Sequence, residues 1–357
     1  MERLQAVCTE LDAYKEENCA FVGVEKVCKC VVHEWSGLGK LQVKRLIGGV
    51  SNVLYKVEPL TANTRCAQKA VIVRIYGTNT SLRTRAAQCE MAIALNREGF
   101  GAKVLGKFLN GLVEEYIESE AVDTADLLAD RALLRKVART MSDLHFRGTQ
   151  ASGLFHKATR ADVPLKVESQ FWNDVKHLIE LAESVLDEAR GDIILRRKWN
   201  GLHSRKFKTD CKALHEIVRP NCDRVKSPDV FCHNDVHAGN LLYDRVKRSL
   251  TLIDYEYAGL GPRGFDLANF FCEFAGFECD CSKIPDRDFR RKFLSFYLGS
   301  TSSEEKVASL EKEVKAWVPV TYFFWALWAI LQHKHSSIGE DYLRFANLRL
   351  EAFRRCL

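Results

Sequence analysis

Two segments hold residues whose types and spacing could do chemistry. The first, Val230-Phe-Cys-His-Asn-Asp-Val-His-Ala-Gly-Asn-Leu-Leu-Tyr243, starts apolar, crosses a polar loop with His233, Asp235 and Asn240, and leaves on a β-like run. The second, Leu250-Thr-Leu-Ile-Asp254, is an apolar strand that ends in a carboxylate. The order is an Asp, an Asn five residues on, and a second Asp fourteen residues after that. Phosphoryl transfer calls for such a set. One carboxylate orients an attacking hydroxyl and accepts its proton, while an amide oxygen and a second carboxylate, both hard donors, hold Mg²⁺ against nucleotide phosphates. Asp235 and Asn240 would also suit a plain capped turn, and His233 reads equally well as a structural imidazole bonded to backbone. The strand-borne Asp254 tips the three oxygen residues toward function.

Such residues need a scaffold, and the first third of the chain reads as β-rich. Residues 41–47, 53–58 and 70–76 predict strands, and Asn110-Gly111 between 104–109 and 112–117 predicts a hairpin. A helix is expected near 85–97. From about 118–125 the periodicity changes: Leu134, Val137, Met141 and Leu144 recur at helical spacing, and 171–190 is another helical run. The chain is thus divided into an N-terminal extension (1–40), a small β-rich lobe (41–120) and a larger, mostly helical lobe (121–357). A ligand would lie in the cleft of such an architecture.

Composition excludes several classes. The 357 residues are 46% hydrophobic and 28% charged, which does not fit a disordered, collagen-like or disulfide-scaffold chain. A net charge of +6 is too diffuse to imply nucleic acid, and the basic stretch 191–229 has few interleaved aromatics, so no nucleic-acid partner is expected. The thirteen cysteines are odd in number and follow no secretory signal, which favours reduced thiols and a cytoplasmic location. The most apolar stretch, 317–331, is shorter than the ~20 residues of a membrane span and reads as a buried helix, so no integral membrane association is expected.

Beyond spacing, His233-Asn-Asp-x-x-x-x-Asn240, Ile253-Asp-Tyr-Glu-Tyr-Ala258 and Gly264-Phe-Asp-Leu-Ala-Asn269 resemble the choline/ethanolamine kinase family. That family belongs with the aminoglycoside phosphotransferases and shares the protein-kinase-like fold. The likeness extends to Gly48-Gly49-Val-Ser-Asn52, Val73-Arg-Ile-Tyr-Gly77 and Phe324-Trp-Ala-Leu-Trp-Ala-Ile-Leu-Gln332, leaving the first forty residues unmatched. It implies an α+β, protein-kinase-like bilobal fold: a small antiparallel β-rich N-lobe with one main helix, and a larger, mostly helical C-lobe. By position, Asp235 would be the catalytic base, Asn240 and Asp254 the Mg²⁺ ligands, and ATP the co-substrate. Arg74 would stand where a strand lysine steadies the nucleotide phosphates. An Arg inside Val-Ile-Val-Arg-Ile-Tyr needs a partner, and Glu90 on the first-lobe helix is the candidate. Gly48, Gly49, Ser51 and Asn52 would form a turn over the phosphates, although paired glycines also serve ordinary turns. Glu115 and Ile117 would meet the adenine at the inter-lobe link.

The acceptor implied is a small amino alcohol. A quaternary ammonium needs aromatic faces, whereas a primary one has three N–H donors for carboxylates or carbonyls. Trp325 and Trp328, three apart on a helix, would wall the site, although the same pair suits core packing. Glu273 would face the ammonium and Asp235 the hydroxyl, while Asp266 would brace the catalytic loop. The segment Cys272-Glu-Phe-Ala-Gly276 resembles the ethanolamine branch. The choline branch tends to carry aromatics near Glu278 and Phe345, and a glutamine at His237. The expectation is phosphorylation of ethanolamine, the entry step of phosphatidylethanolamine synthesis. The alternatives are a choline or dual kinase, a non-catalytic kinase-like binding protein, and a sugar-like acceptor such as an aminoglycoside. Members of this family often form homodimers.

Overall fold

The computed structural model describes residues 5–7, 11, 17–46, 52–60, 66–76, 85–150, 171–188, 204–299, 301–335 and 341–357. The chain divides into two compact units: residues 1–120 with 244–256, and residues 121–243 with 257–357.

The first unit is built on a six-stranded sheet ordered β1-β5-β6-β4-β3-β2. Its strands are β1 (Gln5–Val7), β2 (Leu41–Leu46), β3 (Asn52–Pro59), β4 (Val71–Tyr76), β5 (Val104–Phe108) and β6 (Gly111–Glu115). Five are antiparallel neighbours, as the sequence predicts. The short β1, which it does not predict, joins β5 in parallel. Strand alternation gives the sheet two faces. Val71, Val73 and Ile75 of β4, with Tyr55, Val57 and Val113, meet Val24, Val27, Cys28 and Val31 of helix α1 (Glu17–Val31). Those α1 positions fall on one helical stripe, so the described part of 1–40 is integral to this unit. On the other face, Tyr76, Val104 and Leu112 meet Cys89 and Ile93 of helix α2 (Arg85–Arg97). Arg74 projects on this second face.

The β5–β6 connection corrects one detail. The pair Phe108↔Gly111 closes the hairpin, so its turn is Leu109-Asn110 and Gly111 is already strand. A Cβ on Gly111 would lie 2.0 Å from the Arg74 carbonyl oxygen, so glycine serves close strand approach at this position. Asn110 instead ties down the N-terminal segment, accepting from the Leu11 N–H at 3.0 Å and donating to its carbonyl at 2.7 Å.

The second unit is mostly helical, with helix Glu304–His335 packed against helices Arg263–Cys272, Phe171–Glu188 and Tyr342–Arg355. This helix is longer than its apolar stretch suggests. Glu304–Lys334 is long and apolar enough to cross a membrane by length and composition, yet 67% of its most apolar window is buried inside the protein. A two-stranded antiparallel ribbon pairs Asp229–Cys232 with Gly259–Pro262 and so brackets residues 233–258 in the chain.

Gly264, at the start of helix Arg263–Cys272, lets that helix reach Trp317: a Cβ would sit 2.3 Å from Trp317 Cδ1. Trp317 is itself wedged against Phe171 and Trp172, each at 5.5 Å between centroids. Gly264→Ala should therefore cost about 1–3 kcal/mol and lower the urea-unfolding midpoint. Gly37→Ala, where nothing lies within 4 Å, should leave that midpoint unchanged.

Candidate active site

In the first unit, Arg74 is the centre of a charge cluster. Its register partner across the sheet is Leu112, which puts Glu114 diagonally opposite on the same face. The guanidinium donates from Nε to Glu114 Oε2 at 3.1 Å and from Nη1 to Asp254 Oδ1 at 2.9 Å. Burial opposes the charge of Arg74, but Glu114 and Asp254 outweigh it and hold its pKa above the ordinary value. Glu90 is not the partner. It lies on the outer side of α2 and pairs with Lys107 at 2.9 Å, both side chains being well exposed. A helix residue facing water cannot compete with a cross-strand neighbour already beside the cation.

Asp254 lies beyond its strand, Ser249–Leu252, at φ +69°. A non-glycine residue in this left-handed region is uncommon, and here the Arg74 contact anchors it. A second tie is close by, as Asn52 Nδ2 donates to Glu256 Oε2 at 3.0 Å. Asn52 is thus engaged with the segment that carries Asp254, while Gly48, Gly49 and Ser51 lie outside the described residues. Glu115 ends β6 exposed, and its N–H donates to the Lys103 carbonyl at 2.8 Å. Ile117 follows in the link, its carbonyl accepting from Ser119 N–H at 2.9 Å.

In the second unit, the His233–Asn240 loop is fastened by Asp266, which is fully buried. Its Oδ2 accepts from the His233 backbone N–H at 2.9 Å and its Oδ1 from that of Asn234 at 2.8 Å. His145 Nε2 lies 2.8 Å from Oδ2, and its Nδ1 lies 2.7 Å from the Tyr297 hydroxyl. Burial alone would raise the Asp266 carboxyl. Interactions with His145 and His233 outweigh it and hold the pKa below the usual carboxylate value. This is the bracing role expected of Asp266. His233 is fully buried, and its Nδ1 accepts the Asp235 N–H at 3.2 Å, so it shapes the loop.

Asn240 Nδ2 donates to the Asp235 carbonyl at 2.9 Å and to Asp235 Oδ2 at 3.3 Å. A carbonyl can only accept, so the amide orientation follows, and these two bonds leave Asn240 Oδ1 unused. Asp254 commits one oxygen to Arg74 and retains the other. Asn240 and Asp254 each keep a hard oxygen donor, the type of ligand that Mg²⁺ prefers. His237 caps the short turn Ala238–Asn240 through Nδ1, accepting from the Gly239 N–H at 3.1 Å.

The two tryptophans fall in an aromatic cluster. Trp328 contacts Trp325, Tyr342 and Phe345 at centroid separations of 5.4, 5.8 and 6.2 Å. Its indole N–H donates to the Tyr257 hydroxyl at 2.8 Å. Trp325 is buried and Trp328 only partly so. Glu273 is less available than its sequence suggests, because Arg349 donates from Nη2 to its Oε1 at 3.1 Å. That Arg349 guanidinium is buried, and its carbon lies 4.7 Å from the Phe345 ring centroid. Glu278 is engaged by Arg344 from Nη1 at 2.9 Å. Sequence reasoning missed Glu114, Tyr257 and Arg349. For Glu114 the available signal was strand register.

The family model for choline/ethanolamine kinase matches residues 43–354. The chain belongs to the choline/ethanolamine kinase family. Among the family's relatives, it is 30% identical to a probable ethanolamine kinase of Arabidopsis thaliana, over 92% of this chain and 84% of that one. It is 28% identical to the probable choline kinase 1 of the same plant, over 88% of this chain and 87% of that one. A solved structure of Plasmodium vivax ethanolamine kinase superposes with a TM-score of 0.79 at 24% identity, over 97% of this chain and 92% of that one, and so shares its fold. The α+β, protein-kinase-like fold expected from sequence is therefore present.

The Asp266 brace yields a test. Asp266→Asn turns an acceptor of three donors into a group with an N–H₂ of its own, and should cost roughly 3–5 kcal/mol of stability. The folded-state pKa is depressed, so the carboxylate's contribution is complete above the unfolded value of about 3.9. It is lost as pH falls through the lower folded value. The stability gap between wild type and variant should be constant from about pH 5 to 7 and narrow below about pH 4 in urea titrations.

Proposed function

We propose that this chain transfers the γ-phosphate of ATP to the hydroxyl of ethanolamine in an Mg²⁺-dependent reaction. The observation that carries the proposal is the Asp235–Asn240 pair, complete on a braced loop in a member of this kinase family. Asp235 orients the hydroxyl and accepts its proton. Asn240 and Asp254 would hold Mg²⁺, which when bound neutralises charge on the nucleotide phosphates. Arg74 contributes a fixed cation for those phosphates, held charged by Glu114. The intact base and metal ligands speak against a non-catalytic binding protein.

Ethanolamine is favoured over choline for a physical reason. Near Glu278, where choline kinases tend to carry an aromatic, this chain has a carboxylate paired with Arg344. A primary ammonium can donate to a carboxylate such as that of Glu273, whereas a trimethylammonium has no N–H to offer. Relatives named ethanolamine kinase support the same choice. The rings of Trp328, Tyr257 and Phe345 favour choline as the second reading, because a quaternary cation binds through aromatic faces.

Steady-state kinetics should return a higher kcat/KM for ethanolamine than for choline; the reverse ratio would overturn the preference. Chelation of divalent cations should abolish turnover. Asp235→Asn should lower kcat roughly 10²–10⁴-fold without changing the circular dichroism spectrum, and near-normal turnover would refute the assignment of the base.

A further inference from the structure

The amide of Asn269 is fully buried and is used at both ends. Its Oδ1 accepts from the indole N–H of Trp325 at 2.7 Å, and its Nδ2 donates to the Asn234 carbonyl at 3.3 Å. An indole N–H can only donate and a peptide carbonyl can only accept, so the amide cannot flip without losing both bonds. Asn234 immediately precedes the base and stands at φ +67°, a left-handed conformation that asparagine tolerates at some cost. Three contacts fix it there. Its N–H goes to Asp266 Oδ1 at 2.8 Å, its Nδ2 to the Tyr257 carbonyl at 2.9 Å, and its carbonyl to Asn269. Trp325 in turn packs edge-on against Tyr257 and Trp328, at 5.5 and 5.4 Å.

We infer that Asn269 is a positioning residue that locks the peptide before Asp235 to the aromatic wall through Trp325. The inference rests on the reading of Asp235 as base and the aromatic cluster as acceptor wall. Asp266 and Asn269 are three residues apart on one helix, so one face of that helix holds two successive loop residues by their polar backbone groups. Asp266 grips the N–H side and Asn269 the carbonyl side. Without the second grip, the Asn234–Asp235 peptide is held only at its N–H, by His233 Nδ1 at 3.2 Å, and can tilt about that bond so that the carboxylate leaves the line of the attacking hydroxyl.

Asn269→Asp keeps the shape and the acceptor for Trp325 but removes the donor to Asn234. It should lower kcat roughly ten- to hundredfold, with KM for ATP and for ethanolamine within about threefold of wild type. Trp325→Phe keeps a ring but frees the amide, and should lower kcat by a smaller factor in the same direction. Kinetics are referred to folded enzyme, with the urea midpoint and circular dichroism measured alongside. If both variants lose stability yet keep wild-type kcat per folded molecule, Asn269 is merely structural and the inference fails. The Asp235→Asn variant separates the two layers. If it is inactive while Asn269→Asp retains full kcat, only the lock is wrong; if Asp235→Asn remains active, the base reading fails and the lock with it.

Discussion

A carboxylate removed from water organises this protein's chemistry. Asp266 sits in the apolar helix Arg263–Cys272 with no exposed surface, and an ionised group there survives only when its oxygens are fully engaged. Two of its partners are the consecutive backbone N–H groups of His233 and Asn234 and the third is a histidine ring. The requirement to satisfy that charge therefore bends the loop, and Asp235 emerges from the bend with Asn240 folded back onto it. His145 and Tyr297 extend the network into neighbouring helices, so the loop inherits the rigidity of the helical packing.

A second charge problem is solved in the sheet. Arg74 occupies the middle of an otherwise apolar strand, and burying it would be costly without counter-charges. Glu114 meets that need from within the sheet, while Asp254 meets it from a segment more than a hundred residues later in the chain. The pairing explains why residues 244–256 belong to the first unit, and why Asp254 can be held in a left-handed conformation. A residue suited to a metal is thereby fixed in place by the cation beside which phosphates would also bind.

Much of this was legible in the residues themselves. Strand alternation and turn signals marked the sheet, and the Asp–Asn–Asp spacing marked the candidate site. Asp266 and Asn269 stand out because polar residues three apart in the apolar run 264–272 must share a buried face. What escaped depended on distance along the chain. Glu114 becomes Arg74's partner only once β4 and β6 are in register, and Arg349 reaches Glu273 across 76 residues. Helix α1 carries an apolar stripe, but its sheet partner was invisible to local pattern. Gly111 looked like turn chemistry because Asn-Gly so often is, whereas here the missing Cβ makes room for a neighbouring strand.

The direct test of this account is the identity of the product formed from ATP, Mg²⁺ and ethanolamine, read by ³¹P NMR. The account predicts loss of the γ-phosphate resonance with growth of ADP and of a phosphomonoester on the ethanolamine oxygen. ADP accompanied only by inorganic phosphate, or unchanged ATP from folded protein, would contradict it.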